Sequence, residues 1–139
     1  MSTRGRIGVE LPNGTVKSIY VHHDCYLSYV GKMLKEHYQD YQKVLKLVEL
    51  GDISSLHETV EDTYPDSYKG WRDENCPPRE DESEFDFWEK VGKCGEEYTY
   101  LFSRKSDYYG ETYYTWSYIE TPYPQDLDEA IDDLKSERT

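Results

Sequence analysis

RGRIGVELPNGTVKSIYVHH, residues 4–23, carries the clearest hairpin pattern in the chain. Two runs carrying β-branched residues flank Pro12-Asn13-Gly14, and Asn-Gly between such runs is a strong hairpin signal. Strand one is read over Arg4–Leu11 and strand two over Thr15–His22. A second pattern of the same kind comes late in the chain, where EYTYLFS and TYYTWSYIE flank RKSDYYGE. Tyr98, Tyr100 and Phe102 alternate in the first run, and Tyr114, Trp116 and Tyr118 in the second. Cross-strand aromatic pairs of this kind stabilise an antiparallel sheet.

Helical periodicity fills the space between the hairpins. Val30, Met33, Leu34, His37, Tyr38 and Tyr41 recur at three- and four-residue spacing, which predicts a helix from about residue 27 to Tyr41 with Asp24 as its cap. A second stripe, Val44, Leu45, Leu47 and Val48, stops at Gly51, a suitable residue just past a helix end. Over residues 59–89 the periodicity fades into a long acidic loop, with one short helix near residues 84–91. Pro124 opens a last amphipathic helix with Leu127, Ala130, Ile131 and Leu134 on its stripe. The expected architecture is α+β: a single antiparallel sheet of about four strands from two hairpins, with helices packed on one face and a long acidic loop. One domain spans residues 1–139, with hairpin and helices at 1–58, the acidic aromatic region at 59–95, and the second hairpin and last helix at 96–139.

Charge is distributed unevenly along this chain. The net charge is −13, yet residues 1–60 hold seven bases and seven acids, so residues 61–139 carry all of it. Direct binding of nucleic acid needs a basic footprint and is disfavoured. The three cysteines, Cys25, Cys76 and Cys94, have no close pairing, no apolar run approaches 18 residues, and the N-terminus leads straight into a strand pattern. These features predict a soluble intracellular protein with reduced thiols, without a membrane segment.

The segment VHHDCY, residues 21–26, is the densest cluster of chemically able side chains. Adjacent histidines at a strand end are expected on opposite faces, and neither C-x-x-C nor H-x-x-x-H spacing is present, so no metal or cofactor is expected. Cys25 lies close to His and Asp in sequence, but catalytic partners normally converge from distant positions, and no catalytic residue is assigned. A ligand site remains open here, formed by His22, Asp24 and Tyr26 with Tyr100, Tyr114 and Trp116 of the aromatic sheet. Gly8 lies outside any phosphate-binding glycine pattern and is read as a point of close backbone or ring packing.

The other cluster is acidic. Asp73, Glu74, Glu80, Asp81, Glu82, Glu84, Asp86 and Glu89 are interleaved with Trp71, Phe87 and Trp88, and Asp132 and Asp133 extend the acids into the last helix. No calcium-loop spacing is present. Rim acids around aromatic anchors suit a protein-binding surface, and spaced carboxylates resemble the charge of a phosphate backbone.

Residues 5–56, from the hairpin through HHDCY to GDISSL, resemble a family of small proteins widespread in phages, prophages and bacteria, and YTYLFS resembles that family's late Tyr-x-Tyr-x-Phe strand. The family's His, Asp and Tyr fall at His22, Asp24 and Tyr26; its Trp, Gly and Pro are replaced by His23, Cys25 and Leu27. The resemblance implies a phage context. Together with the charge it leads to the expected function: a non-enzymatic inhibitor, of anti-CRISPR or anti-restriction type, acting in the cytoplasm of an infected bacterial host. It would bind the basic surface of a nucleic-acid-handling defence complex. The alternative is a module that sequesters a nucleotide signal or another small molecule.

Overall fold

The structure is a computed structural model that describes residues 4–53, 55–63, 78–90, 97–119 and 125–126. The expected last helix lies outside these residues, apart from Gln125 and Asp126, which form a strand. The first hairpin joins β1 (Gly5–Glu10) to β2 (Val16–Val21) in the register Ile7↔Ile19. Its turn closes through the Leu11 N–H donating to the Thr15 carbonyl and the Gly14 N–H donating to the Leu11 carbonyl, with Gly14 at φ 91°. Only a residue without Cβ takes that conformation at little cost, which is why Asn13-Gly14 marks the bend. The second hairpin joins β4 (Tyr98–Ser106) to β5 (Thr112–Ile119), and its turn repeats the design with Asp107, Tyr108, Tyr109 and Gly110, the last at φ 84°.

The two hairpins meet through a parallel pair, β1 against β4, with Ile7↔Tyr100 and Val9↔Phe102. Two short strands complete the edges: β3 (Arg79–Asp81) pairs with β2, and β6 (Gln125–Asp126) with β5. The sheet is therefore mixed, six strands in the order β3-β2-β1-β4-β5-β6, where four antiparallel strands were expected. The parallel step follows from the alternation. Joining β1 to β4 in this register puts Ile7, Val9, Ile19, Val21, Tyr100, Phe102, Trp116 and Tyr118 on one face, and all eight are buried in a single core.

Helices cover that face. The expected continuous first helix is instead a five-residue π-helical turn, Leu27–Gly31, running into α1 (Lys32–His37). The chain breaks at Tyr38, and α2 (Tyr41–Glu49) starts afresh because Asp40 accepts a hydrogen bond from the Lys43 N–H. Val30, Leu34, Tyr38, Val44, Leu47 and Val48 fill the core from above. Tyr38 is fully buried, its hydroxyl donating to the His57 carbonyl at 2.6 Å, while its own carbonyl accepts from the Trp116 indole at 2.8 Å. Gly51 ends α2 at φ 85°, and Ile53 then bridges to Val21 beside β2.

The opposite face is not left bare, contrary to the expectation of helices on one side. α3 (Glu84–Glu89) packs there, and Phe87 sits fully buried with Val16 and Leu101. Gly8 makes room for it: a Cβ at this position would lie 3.0 Å from the Phe87 ring and 3.2 Å from Leu101. The ring packing expected of Gly8 is thus with a helix across the sheet. No helix among the described residues is long and apolar enough to cross a membrane.

Candidate protein-binding surface

The acidic stretch contains both a strand and a helix, and each acid's side of that framework decides what it can do. On β3, Val16↔Asp81 and Ser18↔Arg79 place residues 79 and 81 on the α3 side of the sheet, while Glu80 points the other way. Asp81 is consequently buried, and its carboxylate accepts from Arg79 at 3.1 Å and from Lys90 at 2.5 Å. It locks the strand to the far end of α3 and is unavailable to a partner. Ser83 caps α3 by accepting from the Asp86 N–H, so the helix begins where an acceptor side chain precedes the apolar residues. Glu84 accepts from the Trp88 indole at 3.1 Å and forms an ion pair with Lys105 of β4 at 3.2 Å.

Helical spacing sets the remaining positions. Residues two apart on a helix point nearly opposite ways. With Phe87 directed into the sheet, Phe85 and Glu89 face solvent, and Phe85 is 69% exposed. The aromatic anchor expected at Phe87 is therefore core, and the exposed ring is Phe85. Trp88 is half-buried against Phe87, their rings 5.2 Å apart. Glu82 and Glu89 are exposed and Asp86 is partly so, and none of the three forms an ion pair among the described residues. Glu80 is exposed and lies 3.8 Å from Lys17. Phe85 and Glu89 thus share the solvent side of α3 with Asp86 one step round from them, and the exposed Glu82 comes just before the Ser83 cap. Trp71, Asp73, Glu74, Asp132 and Asp133 lie outside the described residues.

The residues of the alternative ligand site do not converge on a pocket. Tyr100 and Trp116 are buried, and their polar atoms are engaged, the Tyr100 hydroxyl by the Cys25 carbonyl at 2.8 Å and the Trp116 indole by Tyr38. Tyr114 stacks on Phe102 with ring centroids 5.2 Å apart and donates to the Glu10 carbonyl. Asp24 does not cap a helix. It is exposed at φ 60°, a conformation that Asp tolerates better than most residues, and Tyr26 precedes the π-helical turn instead. His22 and His23 do not diverge: their rings meet edge to face at 4.5 Å, and His22 Nδ1 lies 3.0 Å from the Tyr20 hydroxyl.

Cys25 is buried, and its thiol donates to the Val21 carbonyl at 3.4 Å. Burial first, then the charges of Asp24 and Glu97, push its pKa far up, which suppresses the thiolate that a nucleophile or metal ligand needs. Among the described residues no three acid, His or Cys side chains group as a metal site.

A shallow polar groove of about 150 Å³ lies beside the π-helical turn, lined by Ser28, Tyr29, Lys32, Met33, Glu36, His37 and Glu58. His37 and Glu58 face each other there at 3.8 Å. Sequence reasoning missed this groove because Glu58 arrives through the loop after Ile53, with no local signal. It placed the second-hairpin turn but gave no role to Tyr108 and Tyr109, which are almost fully exposed there. Two adjacent tyrosines before a turn glycine were the available signal. No family model, curated protein or solved structure matches the chain.

Proposed function

We propose that the protein is a non-enzymatic, phage-encoded inhibitor that binds the basic surface of a host nucleic-acid-handling defence complex, competing there with nucleic acid. The observation that carries this reading is the solvent side of α3 and its approach, where Glu82, Asp86 and Glu89 lack ion pairs among the described residues and Phe85 is exposed. Acids without an ion pair among the described residues, on and just before a helix that is itself keyed into a sheet, form a preorganised negative surface. Charge complementarity of this kind steers association and selects partners. Residues 78–90 hold six acids and two bases, a local net charge of −4 within a chain of −13. The resemblance of residues 5–56 to a family of small proteins widespread in phages, prophages and bacteria supports the phage context of this reading.

The test is capture of partners from a bacterial lysate on the tagged protein at low and high salt, identified by mass spectrometry. The triple variant Glu82→Gln, Asp86→Asn, Glu89→Gln runs alongside. A nucleic-acid-binding complex retained at low salt by the wild type, and lost both at high salt and with the variant, is expected. Retention regardless of salt and variant would remove the charge mechanism.

A further inference from the structure

The second hairpin extends beyond its last pair with β1, its root held by the Glu10 side chain, which accepts from the Arg104 N–H at 2.9 Å. The last β1–β4 pair is Val9↔Phe102, but β4 continues through Arg104↔Tyr114, Lys105↔Tyr113 and Ser106↔Thr112 before it turns. Four further residues at about 3.4 Å each project the ribbon roughly 14 Å past the parallel pair. Residues 106–113 are exposed throughout. At the tip, Tyr108 is 95% exposed and Tyr109 86%, with their rings edge to face at 5.4 Å.

The backbone under these rings is firmly closed. The Asp107 carboxylate accepts from the N–H groups of Tyr109 and Glu111, both at 2.9 Å. The Asp107 N–H donates to the Glu111 carbonyl, and the Gly110 N–H donates to the Asp107 carbonyl. Nothing in this turn needs aromatic side chains: neither ring is buried, and the closure is made by Asp107 and Gly110. Among the described residues, nothing in the packing accounts for the two tyrosines.

We infer that the β4–β5 tip is a second, charge-independent contact, in which Tyr108 and Tyr109 insert into an apolar-lined cleft on the protein partner. The inference rests on the reading that this chain binds a protein. The chemistry of the occupant follows from the arm. It is convex, so its counterpart is concave. It carries Arg104 and Lys105 against Asp107 and Glu111, so it is neutral in a chain of −13 and matches an uncharged lining. Tyrosine supplies large rigid contact area at small entropic cost and is enriched among residues that dominate binding. The arm is continuous with the acidic surface, because the Lys105–Glu84 ion pair ties its root to α3. Acids govern approach and tyrosines govern release.

The test measures dissociation rates from the purified captured complex at two salt concentrations. It compares the wild type, the double variant Tyr108→Ala, Tyr109→Ala, and the triple acid variant. Because both rings are solvent-exposed, the tyrosine variant is expected to keep the wild-type melting temperature. It should dissociate about 10- to 100-fold faster at both salt concentrations, with the salt dependence unchanged, the size expected for loss of dominant aromatic contacts. An unchanged dissociation rate in the tyrosine variant overturns the inference while leaving the acidic surface intact. Loss of binding in the tyrosine variant alone, with neither salt nor the acid variant having an effect, keeps the inference and removes the charge mechanism. Self-association of the wild type that the tyrosine variant abolishes would identify the occupant as a second copy and overturn the inference. Failure to capture any protein would remove both readings.

Discussion

Gly5 shows how tightly single residues are keyed in this sheet. A Cβ there would lie 2.7 Å from both Cys25 Cβ and the Tyr98 carbonyl oxygen. The oxygen belongs to the parallel neighbour and has no rotamer by which to escape. Gly5→Ala is expected to destabilise the protein by about 1–3 kcal/mol, the usual cost of overpacking, read by urea denaturation. A loss within ordinary surface scatter would mean that β1 and β4 are less closely apposed. Tyr38 gives a second prediction. Burial, the dominant cause, raises its pKa from 10.0 to about 12. The folded state therefore holds the phenol proton more tightly than the unfolded chain does. That stabilisation is complete below pH 10 and is lost as pH rises through 12. Tyr29, Tyr41 and Tyr114 shift in the same direction, each mainly by burial. Stability should fall across this window, and Tyr38→Phe should shallow the fall while costing about 1 kcal/mol at neutral pH for the lost bond to His57. An equally steep fall in the variant would contradict this assignment.

Among the elements, α3 illustrates what a sequence can and cannot reveal. Its place near residues 84–91 was legible because Ser83 precedes a short run dense in apolar rings. Its orientation was not, since Phe85, Phe87 and Trp88 are all credible anchors until the sheet's second face is known. Gly8 held the missing information: a glycine in a central strand leaves a socket, and Phe87 fills it. Strand β3 was illegible for a plainer reason. Three charged residues carry no strand signal, and the edge forms because β2 offers free backbone groups and Asp81 finds two cations. Asp81→Asn should loosen this element. Arg79 and Lys90 keep solvent contact, so neither would be stranded as a buried charge. The cost should accordingly be about 1–2 kcal/mol, below the 3–5 typical of a fully buried pair. Hydrogen exchange of the α3 amides should accelerate selectively. Uniform acceleration across the sheet would show that α3 and the core open together instead.

At the scale of the whole molecule, both hairpins were legible because alternation and turn glycines are local. The parallel β1–β4 pair was not, because residues 7 and 100 are far apart in sequence and leave no pattern between them. The same limit applied to the candidate surface. Counting acids located it, but separating Asp81 and Glu84, which hold the fold, from Glu82, Asp86 and Glu89, which form no ion pair among the described residues, required the register of β3 and the facing of α3. Those exposed acids are proposed to recognise a basic partner. Exposed charges are screened over about 10 Å at 0.1 M salt and about 3 Å at 1 M. The most direct test is therefore the dissociation constant of the captured complex as a function of salt, for the wild type and for Glu82→Gln, Asp86→Asn, Glu89→Gln. Affinity is expected to fall steeply with salt in the wild type and with a clearly shallower slope in the variant. A slope that is flat in both, or equal in both, would contradict the charge mechanism.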